Sequence, residues 1–287
     1  MTAATFWLDS LRQGLRDLGY VEGQNIFIEV RSSEGQDAPL PEFALELVRR
    51  PVEILVVAGI PATSAAIAAT TDIPIVTVAG GPDPLRAGYV SSLAHPGGNV
   101  TGLTDFGERL TAKRLELLHD ALPGVQRVGV FRNPATTEGQ WQEAVGAAPQ
   151  LKVELRSIEV QGPDDFRGAF AIAAEQQVGA LLLLLDALTI LYQVEFGRLA
   201  LERHQPAIHS LKGFVSAGGL LAYGPSIPDL AQRAATYVDK ILKGAKPADL
   251  PIEQPTIFDF VVNLKTAQAL DLTIPQHVLL QATEVIQ

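Results

Sequence analysis

Three short phrases and one tyrosine carry the residue types that hold a small charged molecule. Gly59-Ile60-Pro61-Ala62-Thr63 follows a short apolar run and opens a helical pattern. A helix start there offers free N–H groups and the positive end of the helix dipole to an anion. Ala79-Gly80-Gly81-Pro82-Asp83-Pro84 follows the next apolar run. Its glycines let a ligand approach the backbone, and Asp83 can accept hydrogen bonds from a ligand cation. Asp186 follows five consecutive leucines, Leu181 to Leu185, at the strand end where a parallel sheet receives ligands. Tyr223, after Leu220–Ala222, brings an amphipathic ring to a similar place. Each has a plain structural reading beside the functional one. Gly59–Thr63 is also an ordinary strand–helix turn with proline in the first turn, and Asp83 also caps a turn. Asp186 also serves as an N-cap for a helix near Ile190, and Tyr223 as a core-edge ring.

Other chemistries find little to work with. There is no Gly-x-Ser-x-Gly elbow and no His-Glu-x-x-His pair. His95-Pro96-Gly97-Gly98-Asn99-Val100-Thr101-Gly102 is glycine-rich, but it is neither Gly-x-Gly-x-x-Gly nor a Walker loop and reads as a turn. Asn99-Val100-Thr101 matches a glycosylation sequon of a length that chance supplies. His204 and His209 straddle a strand start with poor ligand geometry, and Asp164-Asp165 reads as a solvated helix start. No catalytic residue, metal or cofactor is expected.

The elements that would position these residues alternate between short aliphatic runs and amphipathic segments. Leu8, Leu11, Leu15 and Leu18 recur at helical spacing, with Gly19 as the stop. Strands are expected at Asn25–Val30, Ile54–Ala58 and Ile73–Val78, with helices at Leu40–Arg49 and Ala62–Thr70 between them. The alternation restarts with a helix at Thr111–Leu122, a strand at Arg127–Phe131, a helix at Thr137–Ala148 and a strand at Val153–Val160. It continues with a helix from Pro163 to Val178, a strand at Ala180–Leu185, a helix at Ile190–His204, and strands at Ala207–His209 and Leu220–Tyr223. A helix at Ile227–Leu242, a loop at Gly244–Pro255, a strand at Thr256–Asn263 and a helix at Leu264–Leu270 close the chain. Such alternation means βαβ units and parallel sheets covered on both faces. The fold class expected is α/β, in two Rossmann-like lobes that part near Thr101–Gly107. One lobe takes residues 1–103 and about 224–252, the other 104–223 and about 253–287. A parallel sheet usually opens on a strand, so the reading expects a first strand that is missing ahead of the first helix.

Composition narrows the function classes. The chain has 287 residues, roughly two domains at about 150 residues each. It is 47% apolar and 19% charged, enough for full cores and too little charge for disorder. With 22 basic and 32 acidic residues, the net charge of −10 argues against a nucleic-acid partner and gives no help at an anionic membrane. There is no cysteine, which excludes disulfides, thiolate nucleophiles and cysteine zinc sites. No apolar run reaches the length of a membrane span, and Met1–Leu8 has no signal-peptide pattern.

Longer phrases are specific. Gly14-Leu15-Arg16-Asp17-Leu18-Gly19-Tyr20-Val21-Glu22-Gly23-Gln24-Asn25-Ile26 is followed in order by Ile73-Pro74-Ile75-Val76, Asp83-Pro84 and Pro96-Gly97-Gly98-Asn99-Val100-Thr101-Gly102. Then come Lys113-Arg114-Leu115-Glu116-Leu117-Leu118, Asn133-Pro134, Gly218-Gly219-Leu220 with Tyr223-Gly224-Pro225, and Arg233-Ala234-Ala235. Tyr237-Val238-Asp239-Lys240-Ile241-Leu242-Lys243-Gly244 and Asn263-Leu264-Lys265-Thr266-Ala267 complete the series. Together they resemble the ABC transporter substrate-binding protein family of the tryptophan or amino-acid type, over nearly the whole chain. The resemblance implies a type I periplasmic-binding-protein fold, two lobes joined by hinge crossovers around a cleft, and one small ligand, an amino acid or related carboxylate. It implies a membrane permease as partner, a periplasmic or lipid-anchored location, a monomer, and no enzymatic activity. Gly59–Thr63 matches the family's Gly-Thr-Pro-Ala phrase with Ile60 where a hydroxyl residue is usual, which leaves backbone donors and Thr63. Asp186 matches the family's strand-end aspartate, with Leu185 and Ala187 in place of the usual prolines. The segment Ile208–Gly213 departs from the family's aromatic, basic pattern.

The ligand-binding set expected is Gly59, Pro61, Ala62, Thr63, Gly80, Asp83, Thr101, Asn133, Asp186 and Tyr223, of which Thr101 and Asn133 lie in matched phrases. The alternatives in other classes are the ligand-sensing core of a transcription regulator and an α/β isomerase or racemase. If a central strand is missing at the N-terminus, restoring it upstream raises the melting temperature, because unpaired ladder groups and an apolar slot are costly. Equal melting temperatures for the two forms would contradict that expectation.

Overall fold

The computed structural model of the protein describes residues 3–33, 38–79, 84–85, 87–105 and 110–287, with side chains from residue 7 onward. The chain divides into two compact units, Met1–Phe106 with Pro225–Ile257 and Gly107–Gly224 with Phe258–Gln287. The first unit opens with α1 (Ala3–Asp17), α2 (Leu40–Val48), β1 (Leu55–Val57), α3 (Ile60–Ala69), β2 (Ile75–Thr77) and β3 (Val100–Gly102). Then follow α4 (Thr111–Ala121), β4 (Arg127–Arg132), α5 (Glu138–Leu151), β5 (Glu154–Glu159), α6 (Phe166–Glu175) and β6 (Ala180–Leu183). The second unit continues through α7 (Ala187–Leu191), α8 (Gln193–Glu202), β7 (Ala207–His209), α9 (Lys212–Ser216) and β8 (Leu221–Pro225). The chain returns to the first unit as α10 (Ile227–Leu242) and ends in the second as β9 (Phe258–Asn263), α11 (Leu264–Ala269), α12 (Gln276–Leu279) and β10 (Glu284–Ile286).

In the first unit β1, β2 and β3 form a parallel sheet in that order, with Val56 beside Val76 and Val76 beside Thr101. The leucines of α1 that recur at helical spacing, Leu8, Leu11 and Leu15, are buried against Leu230, Ala234 and Val238 of α10 and Val76 of β2. The two helices come close at Gly14, where a Cβ would meet the Gln232 carbonyl at 2.6 Å. The opposite face packs Leu55, Ala66, Ile75, Val100 and Ile252.

The second unit is a seven-stranded sheet in the order β10-β9-β8-β7-β6-β4-β5. β4 pairs in parallel with β5 and β6, β6 with β7, β7 with β8, and β9 with β10. Leu182 and Leu184 face one core with Leu115, Leu118 and Ala144, while Leu181 and Leu183 face the other with Phe131, Phe166, Phe170 and Phe196. Burial on both faces is why β6 reads as an unbroken leucine run rather than an alternation. From β4 the chain moves outward to β5, then passes back to β6 and continues in the opposite direction across the sheet. The boundary between β4 and β6 is therefore the topological switch point, where open parallel sheets leave a crevice outside their carboxyl ends.

The expected strand at Asn25–Val30 is not part of a sheet; its one pairing is an isolated bridge between Glu22 and Ile26. Its alternation persists, with Ile26 and Ile28 against the α1–α10 core and Phe27 78% exposed. An alternating pattern sets which side chains are buried but does not by itself supply a ladder partner. Side chains tie the segment down instead. Arg31 pairs with Glu46 on α2, and Arg50 reaches Glu29 at 2.6 Å. Arg31 holds the Glu46 carboxyl down to about 2.

Conversely, β3 lies inside the glycine-rich phrase that reads as a turn. Gly102 explains why a strand is possible there, since it sits at φ 118° with its Cα against Thr77. The single helix expected at Ile190–His204 is two helices that meet at Tyr192, because a cap at Asp186 starts the first of them early. The helix expected from Pro163 begins as a 3-10 turn, Pro163–Asp165. The short elements α9, α12 and β10 have no counterpart in the sequence reading.

Gly102→Ala places a Cβ 2.3 Å from the Thr77 carbonyl oxygen at a φ that L residues rarely adopt. The expected cost is about 3 kcal/mol or more, as backbone strain plus a clash that neither strand can relieve. Urea unfolding of the variant measures it, and a loss below about 0.5 kcal/mol would contradict the close approach of β2 and β3.

Candidate functional site

The first unit presents the start of α3 at the carboxyl end of β1. Gly59 takes φ 83°, so glycine suits this bend. Its N–H donates to the Ala79 carbonyl at 3.0 Å. Its carbonyl accepts from the Thr63 amide at 3.1 Å and the Thr63 hydroxyl at 2.8 Å. Pro61 stands in the first turn and brings no N–H. The Ile60 and Ala62 amides have no acceptor among the described residues. They are open donors at the start of a helix, with the positive end of the helix dipole behind them. Thr63 is buried and its hydroxyl is engaged, so its part is to shape the turn. Thr101 is likewise buried in β3, donating to the Leu250 carbonyl at 2.8 Å. Gly80 and Asp83 lie outside the described residues.

Beside this turn a small cavity is lined by Thr63, Thr77, Tyr89, Leu103, Thr104 and Ile252, with Pro84 and Val100. Tyr89 also shares a 2.6 Å hydrogen bond with the Ser64 hydroxyl on α3. Ser64 and Tyr89 did not stand out in the sequence.

The second unit places Asn133 and Asp186 on the two sides of its switch point, just beyond β4 and β6. Asn133 shapes a turn: its side-chain oxygen accepts from the Ala135 amide at 3.1 Å, and its carbonyl accepts from the Thr136 and Thr137 amides. That turn brings the Thr136 hydroxyl to 3.3 Å from Asp186 Oδ2. Asp186 N-caps α7 in a capping box with Thr189. Its Oδ1 accepts from the Thr189 amide at 2.8 Å, and its own amide donates to the Thr189 hydroxyl at 3.0 Å. The capping and ligand readings of Asp186 are therefore compatible, because the carboxylate is bonded only by the neutral groups of Thr189, Thr136 and Leu188 and has no cation paired with it among the described residues. Burial raises the Asp186 pKa above its ordinary value, against the opposing hydrogen bonds of Thr189, Thr136 and the Leu188 amide. A carboxylate in that condition gains from a cation, which replaces the water it has lost.

Tyr223 stands on β8, half-buried, stacked on Phe258 with ring centroids 6.1 Å apart and edge-on to Phe260. It forms part of the aromatic rim of the sheet, two strands from β6. His209 is fully buried at the end of β7; its Nδ1 accepts from the Leu211 amide, and burial beside the Arg114 cation pushes it down to about 3. It is a neutral core histidine. His204 is exposed at φ 53° after α8. No group of three or more metal-ligating side chains occurs among the described residues.

Thr136, Gln140 and Thr189 complete the surroundings of Asp186 and were not singled out in the sequence. Thr189 was legible, because an Asp followed three residues later by Thr is a capping spacing. Gln140 carries no such signal, since it acts on Leu185, 45 residues away.

Because the folded state holds the Asp186 proton more tightly than the unfolded chain, its ionisation costs stability at neutral pH, and the cost disappears as pH falls through the raised value. Asp186→Asn keeps a capping oxygen and removes the buried charge, so its melting temperature at neutral pH should equal or exceed that of the wild type. Asp186→Ala loses the cap and should be about 1 kcal/mol less stable. Thermal unfolding distinguishes them, and an Asn variant melting well below the wild type would contradict a destabilising buried charge.

A family model for ABC transporter substrate-binding proteins matches residues 5–286. The tyrosine-binding protein of Clostridioides difficile (strain R20291) is 27% identical over 271 residues, which is 92% of this chain and 77% of that one. Among solved structures, the ABC domain from Streptococcus pneumoniae in complex with L-Trp aligns with a TM-score of 0.87 at 26% identity, covering 99% of this chain and 96% of that one. A conserved domain protein from Vibrio cholerae O1 biovar El Tor aligns with a TM-score of 0.88 at 28% identity, covering 97% and 95%. The fold is thus the α/β, parallel-sheet fold of type I periplasmic binding proteins.

Proposed function

The chain belongs to the ABC transporter substrate-binding protein family, and on that premise we propose that it binds a free amino acid and hands it unchanged to an ABC permease. The observation that carries the amino-acid reading is Asp186, a partly buried carboxylate at the switch point bonded by neutral groups and paired with no cation among the described residues. An α-ammonium group supplies the missing counter-charge and hydrogen bond together. The free amides of Ile60 and Ala62 in the first unit have the chemistry that a carboxylate takes. The C. difficile relative is named for tyrosine and the S. pneumoniae structure holds L-Trp, so an aromatic L-amino acid is the first ligand to test. We place the protein outside the cytoplasm, as a non-enzymatic monomer, in keeping with its family.

Thr63, Thr101 and Asn133 take structural parts in this proposal. They shape or support the turns, while the contact groups are the Ile60 and Ala62 amides and Asp186. Tyr223, two strands from β6, offers an apolar ring suited to packing rather than to charge.

Titration calorimetry with L-tryptophan, L-tyrosine, L-isoleucine and indole-3-propionate tests the proposal. At least one amino acid should bind, and indole-3-propionate, which lacks the ammonium, should bind about 10- to 100-fold more weakly than L-tryptophan if tryptophan is a ligand. Asp186→Ala should lower amino-acid affinity by a similar factor. An unchanged affinity in that variant would remove Asp186 from the site, and no binding by any amino acid would overturn the proposal.

A further inference from the structure

The backbone that carries Asp186 is held with unusual completeness. The Leu184 amide donates to the Phe131 carbonyl at 3.0 Å, and the Leu184 carbonyl accepts from the Thr189 hydroxyl at 2.9 Å. The Asp186 amide donates to Thr189 Oγ1, and its carbonyl accepts from the Ile190 amide at 3.0 Å. Between them, Leu185 lies beyond the last residue of β6, where the ladder has ended. Gln140 takes over there. Its Nε2 donates to the Leu185 carbonyl at 2.7 Å, and its Oε1 accepts from the Leu185 amide at 2.9 Å.

A side-chain amide bonded to both polar groups of one residue acts as a rung of the sheet supplied by a helix. Gln140 is buried on α5, where surface helices seldom bury a glutamine. The first turn of α5 is itself anchored, since Glu138 pairs with the buried Arg132 at the end of β4, and Arg132 lies over the Trp141 ring at 5.1 Å. The turn that carries Thr136, the second contact of Asp186, leads directly into the same helix. One helix start therefore fixes both the backbone and the side-chain surroundings of the acid.

We infer that Gln140 is a positioning residue for ligand recognition, aiming the Asp186 carboxylate by pairing both backbone polar groups of Leu185. This rests on the reading of Asp186 as the acceptor of the ligand's ammonium group. A hydrogen bond to an ammonium is directional, so an acid free to swing binds it less well than one held in place. Gln140 touches no ligand in this scheme. Its effect passes through Asp186, and a group that acts only through another loses its effect when that other is removed.

A double-mutant cycle reads this directly. L-tryptophan affinity, or that of whichever amino acid binds most tightly, is measured for the wild type, Gln140→Met, Asp186→Asn and the double variant, with the melting temperature of each recorded. Gln140→Met should lower the affinity about tenfold in the wild-type background and less than twofold beside Asp186→Asn. It should leave the affinity for the corresponding des-amino acid unchanged in both backgrounds. An equal loss in both backgrounds, or an equal loss for the des-amino acid, would make Gln140 a general structural residue and overturn the inference while leaving the Asp186 reading intact. An Asp186→Asn variant that binds as well as the wild type would overturn the Asp186 reading itself and the inference with it. Should Gln140→Met fail to fold, Gln140→Glu carries the same cycle. It keeps an acceptor for the Leu185 amide and sets an oxygen against the Leu185 carbonyl, so the same two outcomes decide it.

Discussion

Withdrawing a carboxylate from water is costly unless other groups replace the lost hydration. Asp186 meets that condition only in part, and much of the second unit is organised around it. The start of α7 and Thr136 bond its side chain, and the Leu188 amide adds a further bond to the carboxylate. The backbone on either side is bonded through Phe131, Gln140, Thr189 and Ile190, which fixes where the residue sits. What remains is a partly buried negative charge with no cation paired to it among the described residues, which favours a cation that brings hydrogen-bond donors.

The parallel sheet makes such an arrangement possible. β6 is buried on both faces, so its leucines fix the strand, and the residue following them is delivered to the carboxyl edge. The reversal of strand order between β4 and β6 separates the two connecting turns there, one carrying Asn133 and Thr136, the other Asp186. In the first unit the same logic, on a smaller sheet, delivers the Gly59–Thr63 turn to the end of β1. There the open polar groups are the Ile60 and Ala62 amides, and the Thr63 hydroxyl bonds the turn. The two units thus offer opposite electrostatic character from equivalent positions on their sheets.

Much of this was legible in the sequence, for definite reasons. The leucine run of β6, the helical spacing of Leu8, Leu11 and Leu15, and the apolar face of α10 each reflect burial, and burial leaves a periodic trace. Asp186 stood out because it interrupts the most apolar run of the chain. What stayed hidden was pairing. The segment Asn25–Val30 alternates like a strand yet has no ladder, while β3 has a ladder and reads as a turn. Whether backbone groups find partners depends on residues far away in the chain, and local pattern is silent about them. Thr63 and Thr101, both in the expected ligand-binding set, have hydroxyls that bond backbone carbonyls, a pairing the sequence does not show. Gln140 was invisible because its partner lies 45 residues further on.

In the proposed function, an arriving ammonium group pairs with the ionised form of Asp186. Binding must then lower the pKa of a carboxyl that burial has raised, and protons must leave the protein as the ligand enters. Titration calorimetry of the amino-acid ligand over a pH series through the carboxyl range, in two buffers of different ionisation enthalpy at each pH, measures that release. A net proton release that disappears in Asp186→Asn is the result predicted. Binding heats that agree in both buffers, or a release that persists in the variant, would contradict it.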